Sequence, residues 1–251
     1  EFMSALLTNQ LENLPKLSEY MQECNEMGLR VLPPDINESR EVFSPGQSGE
    51  ILFGLAAVKN VGRGAVAAVL EERKKGKFQD FYDFLERTYC PEVNKRMVES
   101  LIRCGAFDRL GGTRAQYLAV YEAWMDQIAG EKRNNIEGQF SLFAVSGQSH
   151  RPTLPPKEEF DRKTLLSMER EMIGLYLSGN PLEEYRGILT KAAGQTTAQL
   201  NESWAEKSVS LAGMVTELKQ RKTKSGAQMA AFRLMDLQGV VDVLVFPALW
   251  K

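Results

Sequence analysis

Three short stretches combine residue types and spacing that could do chemistry. In Lys59-Asn60-Val61-Gly62-Arg63-Gly64, two glycines bracket an arginine, with a lysine one turn earlier. Glycines can adopt positive φ and let a ligand approach the backbone closely. A helix starting at such a turn aims free amides outward, and those amides favour an anion such as a phosphate. Lys59 and Arg63 add positive charge at the same place. The second stretch, Gln139-Phe140-Ser141-Leu142-Phe143, sets apolar side chains on a polar tether between Gly130–Asn135 and Gly147–Pro156. Gln139 offers an amide that bonds both ways, and Leu142 and Phe143 offer adjacent anchors for an apolar pocket on another protein. The alternative is a loop whose Leu and Phe fold back on their own domain. The third is the basic turn containing Arg221, Lys222 and Lys224.

Groups for bond-making chemistry are harder to find. Asp236 and Asp242 fall in different strands around a turn, and Asp80 and Asp83 flank an apolar helix. Neither pair has the partners of a two-metal nucleotidyl-transfer site. The single histidine, His150, lies in a Pro-rich loop, and no Cys-x-x-Cys pair is present, which argues against zinc.

The elements that must position these groups are mostly helical. Leu14, Leu17, Tyr20, Met21 and Cys24 follow a 3/4 spacing, and Gly28 is a plausible stop, so residues 1–30 read as helical. Leu32-Pro33-Pro34-Asp35-Ile36-Asn37 cannot be helix, because proline disfavours the helical region for the residue before it. Ile51–Leu55 reads as a short extended piece. The stretch from Gly54 to about Lys75 then has the spacing of a helix-hairpin-helix: short helix, glycine turn, second helix. An αα-corner that merely needs glycines is the alternative.

A degenerate second copy follows. Val93, Met97, Leu101 and Ile102 line one helix face, Gly105-Ala106-Phe107-Asp108 makes the turn, and Thr113 is a good N-cap for a helix over 114–128. Asp108 would repel phosphate, so this copy reads as structural. Phe78, Phe81, Phe84 and Leu85 between the copies read as core. Leu165–Leu177 reads as helix, Ser178–Leu182 as a turn with a new helix near Glu183. Val209–Val215, Met229–Asp236 and Val240–Phe246 read as strands, with Gln220–Gly226 a basic turn between the first two. That order resembles the first part of an OB-fold, which binds single strands on its sheet and loops; a small sheet with a solvated turn is the alternative.

Bulk properties agree with a soluble globular chain, long enough for one large domain or two to three small ones. Over 251 residues it is 43% hydrophobic and 25% charged. No apolar run approaches the roughly 20 residues that span a bilayer, and residues 1–7 do not look like a signal peptide. Three widely spaced cysteines suggest a reducing, cytoplasmic setting. Net charge is −2, yet Lys59–Lys77 holds six basic residues against two acids, and Lys207–Lys224 five against one. Local basic patches on a near-neutral chain can bind nucleic acid, although each could equally be a solvated face.

The combination is more specific than its parts. Pro34-Asp35-Ile36-Asn37-Glu38-Ser39, the Gly54–Ala65 hairpin, Asn94-Lys95-Arg96, Gly105-Ala106-Phe107-Asp108, Gln139–Phe143, and Gly174-Leu175-Tyr176-Leu177-Ser178-Gly179-Asn180-Pro181-Leu182 occur in one order. In that order they resemble the C-terminal part of the alpha subunits of bacterial DNA polymerase III, over essentially the whole chain. Asn180 departs from the histidine usual in that family.

The resemblance implies a multidomain, mainly α architecture. Residues 1–45 would end a fingers region, and 46–130 would form a tandem helix-hairpin-helix unit on duplex DNA. Residues 131–163 would be a linker with a sliding-clamp-binding peptide (Gln139, Leu142, Phe143), 164–206 a helical connector, and 207–251 the first part of an OB-fold near single-stranded template. Implied partners are double-stranded DNA, the template strand, the bacterial clamp and other replicase subunits, with no membrane. The family's catalytic carboxylates and their magnesium belong to a palm domain upstream of residue 1. The chain alone is therefore expected to hold no cofactor and to make no DNA. Competing expectations are a repair ligase or nuclease built on the same hairpins, and a helical scaffold that binds no DNA.

Overall fold

The computed structural model describes residues 1–11, 13–136, 151–223 and 226–250. The chain divides into two compact units, Glu1–Ser178 and Gly179–Lys251.

The first unit opens with α1 (Phe2–Asn9) and α2 (Leu14–Glu26). The helical stretch is broken because Asn13 caps a new helix, its side chain accepting from the Lys16 amide at 3.3 Å, and proline sits in the first turn. Gly28, at φ +72, follows the end of α2. Three two-residue strands come next: β1 (Val31–Leu32), β2 (Ser44–Pro45) and β3 (Ile51–Leu52). Their order is β1-β3-β2, with β1 parallel and β2 antiparallel to β3. Only the β3 piece was legible, because a two-residue strand carries no alternation.

A 3₁₀ turn (Leu55–Ala57) leads to α3 (Arg63–Arg73), then α4 (Phe81–Arg87), α5 (Lys95–Arg103) and α6 (Arg114–Ile136). Helix α7 (Arg162–Ile173) completes the unit. It stops at Gly174 (φ +85), four residues before the expected end, because Gly174 forms a left-handed cap that returns its N–H to the Arg170 carbonyl. The Phe78, Phe81, Phe84 and Leu85 stripe is core. Phe81 stacks near Tyr117 with centroids 4.5 Å apart, and both meet Phe107 edge-on. This aromatic cluster welds α4 to the two elements of the second hairpin. Cys24 and Cys104 lie in the same core; burial raises both thiols, that of Cys104 to about 12, so neither is a reactive thiolate.

The second unit begins with a 3₁₀ turn (Glu183–Tyr185) and α8 (Arg186–Ala192). It ends in an antiparallel meander of β4 (Met214–Lys222), β5 (Gln228–Met235) and β6 (Val240–Val245). The β4–β5 register shifts between Thr216 and Lys219, where Glu217 takes φ +55. Val209 lies outside the strand, which starts at Met214. Asp236 closes the β5–β6 turn, accepting from the Gln238 and Gly239 amides and from Thr197. Burial opposes its charge, but those hydrogen bonds outweigh it and hold its carboxyl below the ordinary aspartate value.

Among the described residues, eight α-helices and two three-stranded sheets give a mixed α/β chain, not a mainly α one. The small sheet at Val31–Leu52 and the full length of β4 account for the difference.

Candidate nucleic-acid interface

The first hairpin is built around a turn at Val58–Gly62. Its opening element is the one-turn 3₁₀ piece, not an α-helix. The positive φ that closes the turn belongs to Asn60 (φ +64), not to either glycine. Asparagine tolerates this conformation better than other side chains, and Asn60 Nδ2 also donates to Ser100 Oγ at 3.0 Å. Gly62, the residue before α3, is extended (φ −79, ψ 150), and Gly64 lies in the helix. The space beside both is open: a Cβ on Gly62 would meet nothing within 4 Å, and one on Gly64 would touch only Glu92 Cγ at 3.4 Å.

The amino end of α3 is therefore bare. Gly62, Arg63 and Gly64 are exposed, and among the described residues no side chain caps the helix. Among the described residues the amides of Arg63, Gly64 and Ala65 have no acceptor. Arg63 is three-quarters exposed, with only a long 3.7 Å pairing to Glu41. Lys59 is exposed, and its amide is anchored to the Met172 carbonyl at 2.9 Å. A cleft of about 800 Å³ opens beside the turn, lined by Leu11, Lys59, Asn60, Gly62 and Arg170 among others.

The rest of the basic run is spoken for. Lys74 and Lys75 pair with Glu71 and Glu72, and Lys77 with Glu38. Arg73 donates to the Ile36 and Ser39 carbonyls at 2.9 and 2.6 Å, pinning the Pro34–Ser39 loop. Free charge is thus concentrated at Lys59 and Arg63.

The second hairpin keeps the turn and loses the bare end. Gly105 has φ +85, and a Cβ there would lie 2.1 Å from Arg114 Nη2. Asp108 does not stand as an isolated negative charge: Arg114 Nε and Nη2 bind it at 3.0 and 2.7 Å. Arg114 is buried, and also donates to the Arg103 and Leu165 carbonyls. Thr113 and Gln116 form a reciprocal cap: the Gln116 amide donates to Thr113 Oγ1, and the Thr113 amide to Gln116 Oε1. The two remaining amides at this end, of Arg114 and Ala115, donate to the Glu159 carboxylate at 2.9 and 3.0 Å.

In the second unit, Arg221 and Lys222 lie on β4 opposite Met229 and Gln228, not in a loop, because the ladder runs further toward the turn than the sequence pattern indicates. Both are exposed. Lys224, Gln139, Leu142 and Phe143 lie outside the described residues.

The aspartate pairs hold structure together. Asp80 caps α4 through the Asp83 amide, Asp83 binds Arg87, and Asp242 pairs with Arg233. Among the described residues, no three His, Cys, Asp or Glu side chains gather as metal ligands would.

Sequence reasoning missed Asn60, Glu92 and Glu159. Asn60 was findable as the one residue of the turn, glycines apart, that tolerates positive φ. Glu159 had no local signal, since its partners lie 44 and 45 residues away.

Comparison with known proteins agrees with this geometry. Residues 28–117 match the family model for the helix-hairpin-helix motif, a span that takes in both turns and ends inside α6. The chain is 40% identical to a DNA polymerase III subunit alpha of Saccharopolyspora erythraea, over 98% of its own length and 22% of that protein. Identity to the Treponema pallidum subunit is 35%, over 100% of this chain and 22% of that one. Identity to the Thermus aquaticus subunit is 40%, over 98% and 20%. The chain thus spans about a fifth of the length of these relatives. From end to end, the chain is similar in sequence to a segment of the bacterial DNA polymerase III alpha subunits.

Proposed function

We propose that this chain supplies the duplex-gripping and partner-docking part of a bacterial replicative DNA polymerase. The observation that carries the reading is the bare amino end of α3: adjacent unpaired amides, two exposed glycines, and Lys59 and Arg63 beside them. A backbone phosphate satisfies all of these at once, and no base edge is needed. The grip is then independent of sequence, as copying an arbitrary template requires.

Around that grip we place three further roles. Gln139, Leu142 and Phe143 dock on the sliding clamp, and the second weak contact raises avidity through effective concentration. The β4–β6 meander is the first part of an OB-fold; the shift near Glu217 is the kind of bulge that curls a strand in such barrels. Arg221, Lys222 and Lys224 lie along the template strand. Other replicase subunits are further partners, and the cytoplasm is the compartment; among the described residues no helix is long and apolar enough to cross a membrane.

Nucleotidyl transfer needs carboxylates that hold magnesium. The aspartates described above are committed to caps and ion pairs and do not fit that task. We infer that the chain alone extends no primer, which a primer-extension assay checks directly.

The central test is fluorescence anisotropy with a labelled duplex across a salt series. Affinity should be indifferent to sequence, and Lys59→Ala and Arg63→Ala should each flatten the log–log salt slope by about 0.9. A salt-insensitive signal, or variants that match the parent, would return the hairpin to a scaffold role. For the clamp, the Gln139→Ala, Leu142→Ala, Phe143→Ala triple variant should lose binding to a bacterial clamp; retained binding sinks that assignment.

A further inference from the structure

The two hairpins share a fold but not an open end: beside the local Thr113–Gln116 cap, one side chain from a distant segment closes the second. Glu159 comes from residues 151–160, a stretch without helix or strand that runs along the second hairpin as a strap. Arg151 pairs with Asp80 at 3.0 Å, Leu154 packs on the core beside Gly112 and Tyr117, and the Pro155 carbonyl accepts from Gln116 Nε2 at 2.8 Å. These contacts deliver the Glu159 carboxylate to the Arg114 and Ala115 amides, one oxygen to each.

We propose that Glu159 makes DNA binding one-sided: its carboxylate takes, from within the chain, the place a DNA phosphate would take at the second hairpin, so that only the first hairpin grips the duplex. The inference rests on the proposed reading of the first hairpin. Every amide at the amino end of α6 has an internal acceptor, counting Thr113 and Gln116, whereas among the described residues none at the amino end of α3 has one. An incoming phosphodiester would have to displace a carboxylate held at high effective concentration by a docked strap. It would also meet the like charge of Glu159 itself. Glu159 is in this sense a specificity-determining residue: it fixes how many phosphates the unit contacts and on which side.

The test compares the 251-residue chain with its Glu159→Ala and Glu159→Gln variants. Duplex binding is measured by anisotropy across a salt series, with amide hydrogen exchange at Arg114 and Ala115. Glu159→Ala should speed exchange at both amides and tighten low-salt binding several-fold, the gain fading as salt screens the removed charge. Glu159→Gln keeps the strap's shape and one acceptor oxygen while removing the charge. It should move affinity the same way by less, and it keeps the test decisive should the alanine variant fail to fold. Folded variants with the parent's affinity and slope, weaker binding, or amides that stay protected would overturn the proposal. If the parent binds duplex and the variants match it, only this inference falls. If neither parent nor variants bind, the proposed function falls with it.

Discussion

The first and second hairpins are a natural pair of controls for one another. Both turn on a residue with positive φ, Asn60 in one and Gly105 in the other, and both launch an α-helix from the turn. Around the first, the helix end is exposed and uncapped; around the second, Arg114 and Ala115 are buried and every leading amide is taken. The spacing of the motif fixes the turn. What the amino end can do is fixed by whether a distant part of the chain brings an acceptor to it. A polar end that is bare is one whose hydrogen bonds must be completed by water or by a ligand.

Converting each hairpin toward the other separates fold from function. The largest effect should come from Arg114→Met, which strips the second hairpin of its buried guanidinium. Asp108 loses its partner, the Arg103 and Leu165 carbonyls lose a donor, and stability should drop by about 3 kcal/mol in urea unfolding. A loss below 1 kcal/mol would mean that water replaces the guanidinium, and that Arg114 is not the keystone of the closed hairpin.

Next is Gly62→Asp, which gives the first hairpin its own carboxylate. The position is extended and open, so the side chain fits and can cap α3. Duplex affinity should fall at least tenfold, while stability rises by about 0.5 kcal/mol from the cap and the helix dipole. Binding and stability moving in opposite directions is a result no general unfolding effect can imitate. Unchanged affinity would remove α3 from the DNA surface.

These contrasts also mark what the sequence could say. The hairpin spacing, the aromatic core of Phe78, Phe81 and Phe84, and the three strands of the closing meander followed from period and turn residues. The role of each glycine did not, because glycine licenses positive φ without requiring it; Gly62 is extended, Gly64 is helical, and the space beside both is open. Charge was legible as composition only. Six basic residues from Lys59 to Lys77 looked like one patch, yet Arg73, Lys74, Lys75 and Lys77 are bound to carbonyls and carboxylates. Glu38 and Ser39 reach that patch from more than thirty residues away, a pairing that no local pattern encodes. The strap residue Glu159 escaped notice for the same reason.

A smaller effect distinguishes the two turns themselves. Asn60→Ala leaves a β-carbon at φ +64 without the polar side chain that makes asparagine tolerant of it, and removes the bond to Ser100, costing about 1.5 kcal/mol in total. Asn60→Gly relieves the backbone and removes only the bond, costing about 0.5 kcal/mol. Equal losses in urea unfolding would show that conformation plays no part in the choice of asparagine.

The finest adjustment concerns Glu92, whose stem lies beside Gly64 on the rim of the open hairpin. The side chain is exposed, and its carboxylate lies one carbon beyond the atom that a Cβ on Gly64 would touch. In the second hairpin a carboxylate completes the helix end; here one stands next to the end without capping it. On the proposed reading of the hairpin, its charge opposes the anion that Lys59 and Arg63 would attract. Because the site faces water, the opposition is modest, about 0.5 kcal/mol at a few ångströms in high dielectric. Glu92→Gln should therefore tighten duplex binding about twofold at low salt, an effect that fades as salt screens it. A gain that persists at high salt would instead mean that the glutamine amide contacts DNA directly. No gain at any salt would place the bound phosphate on the side of the turn away from Glu92, toward Lys59 and the cleft it lines.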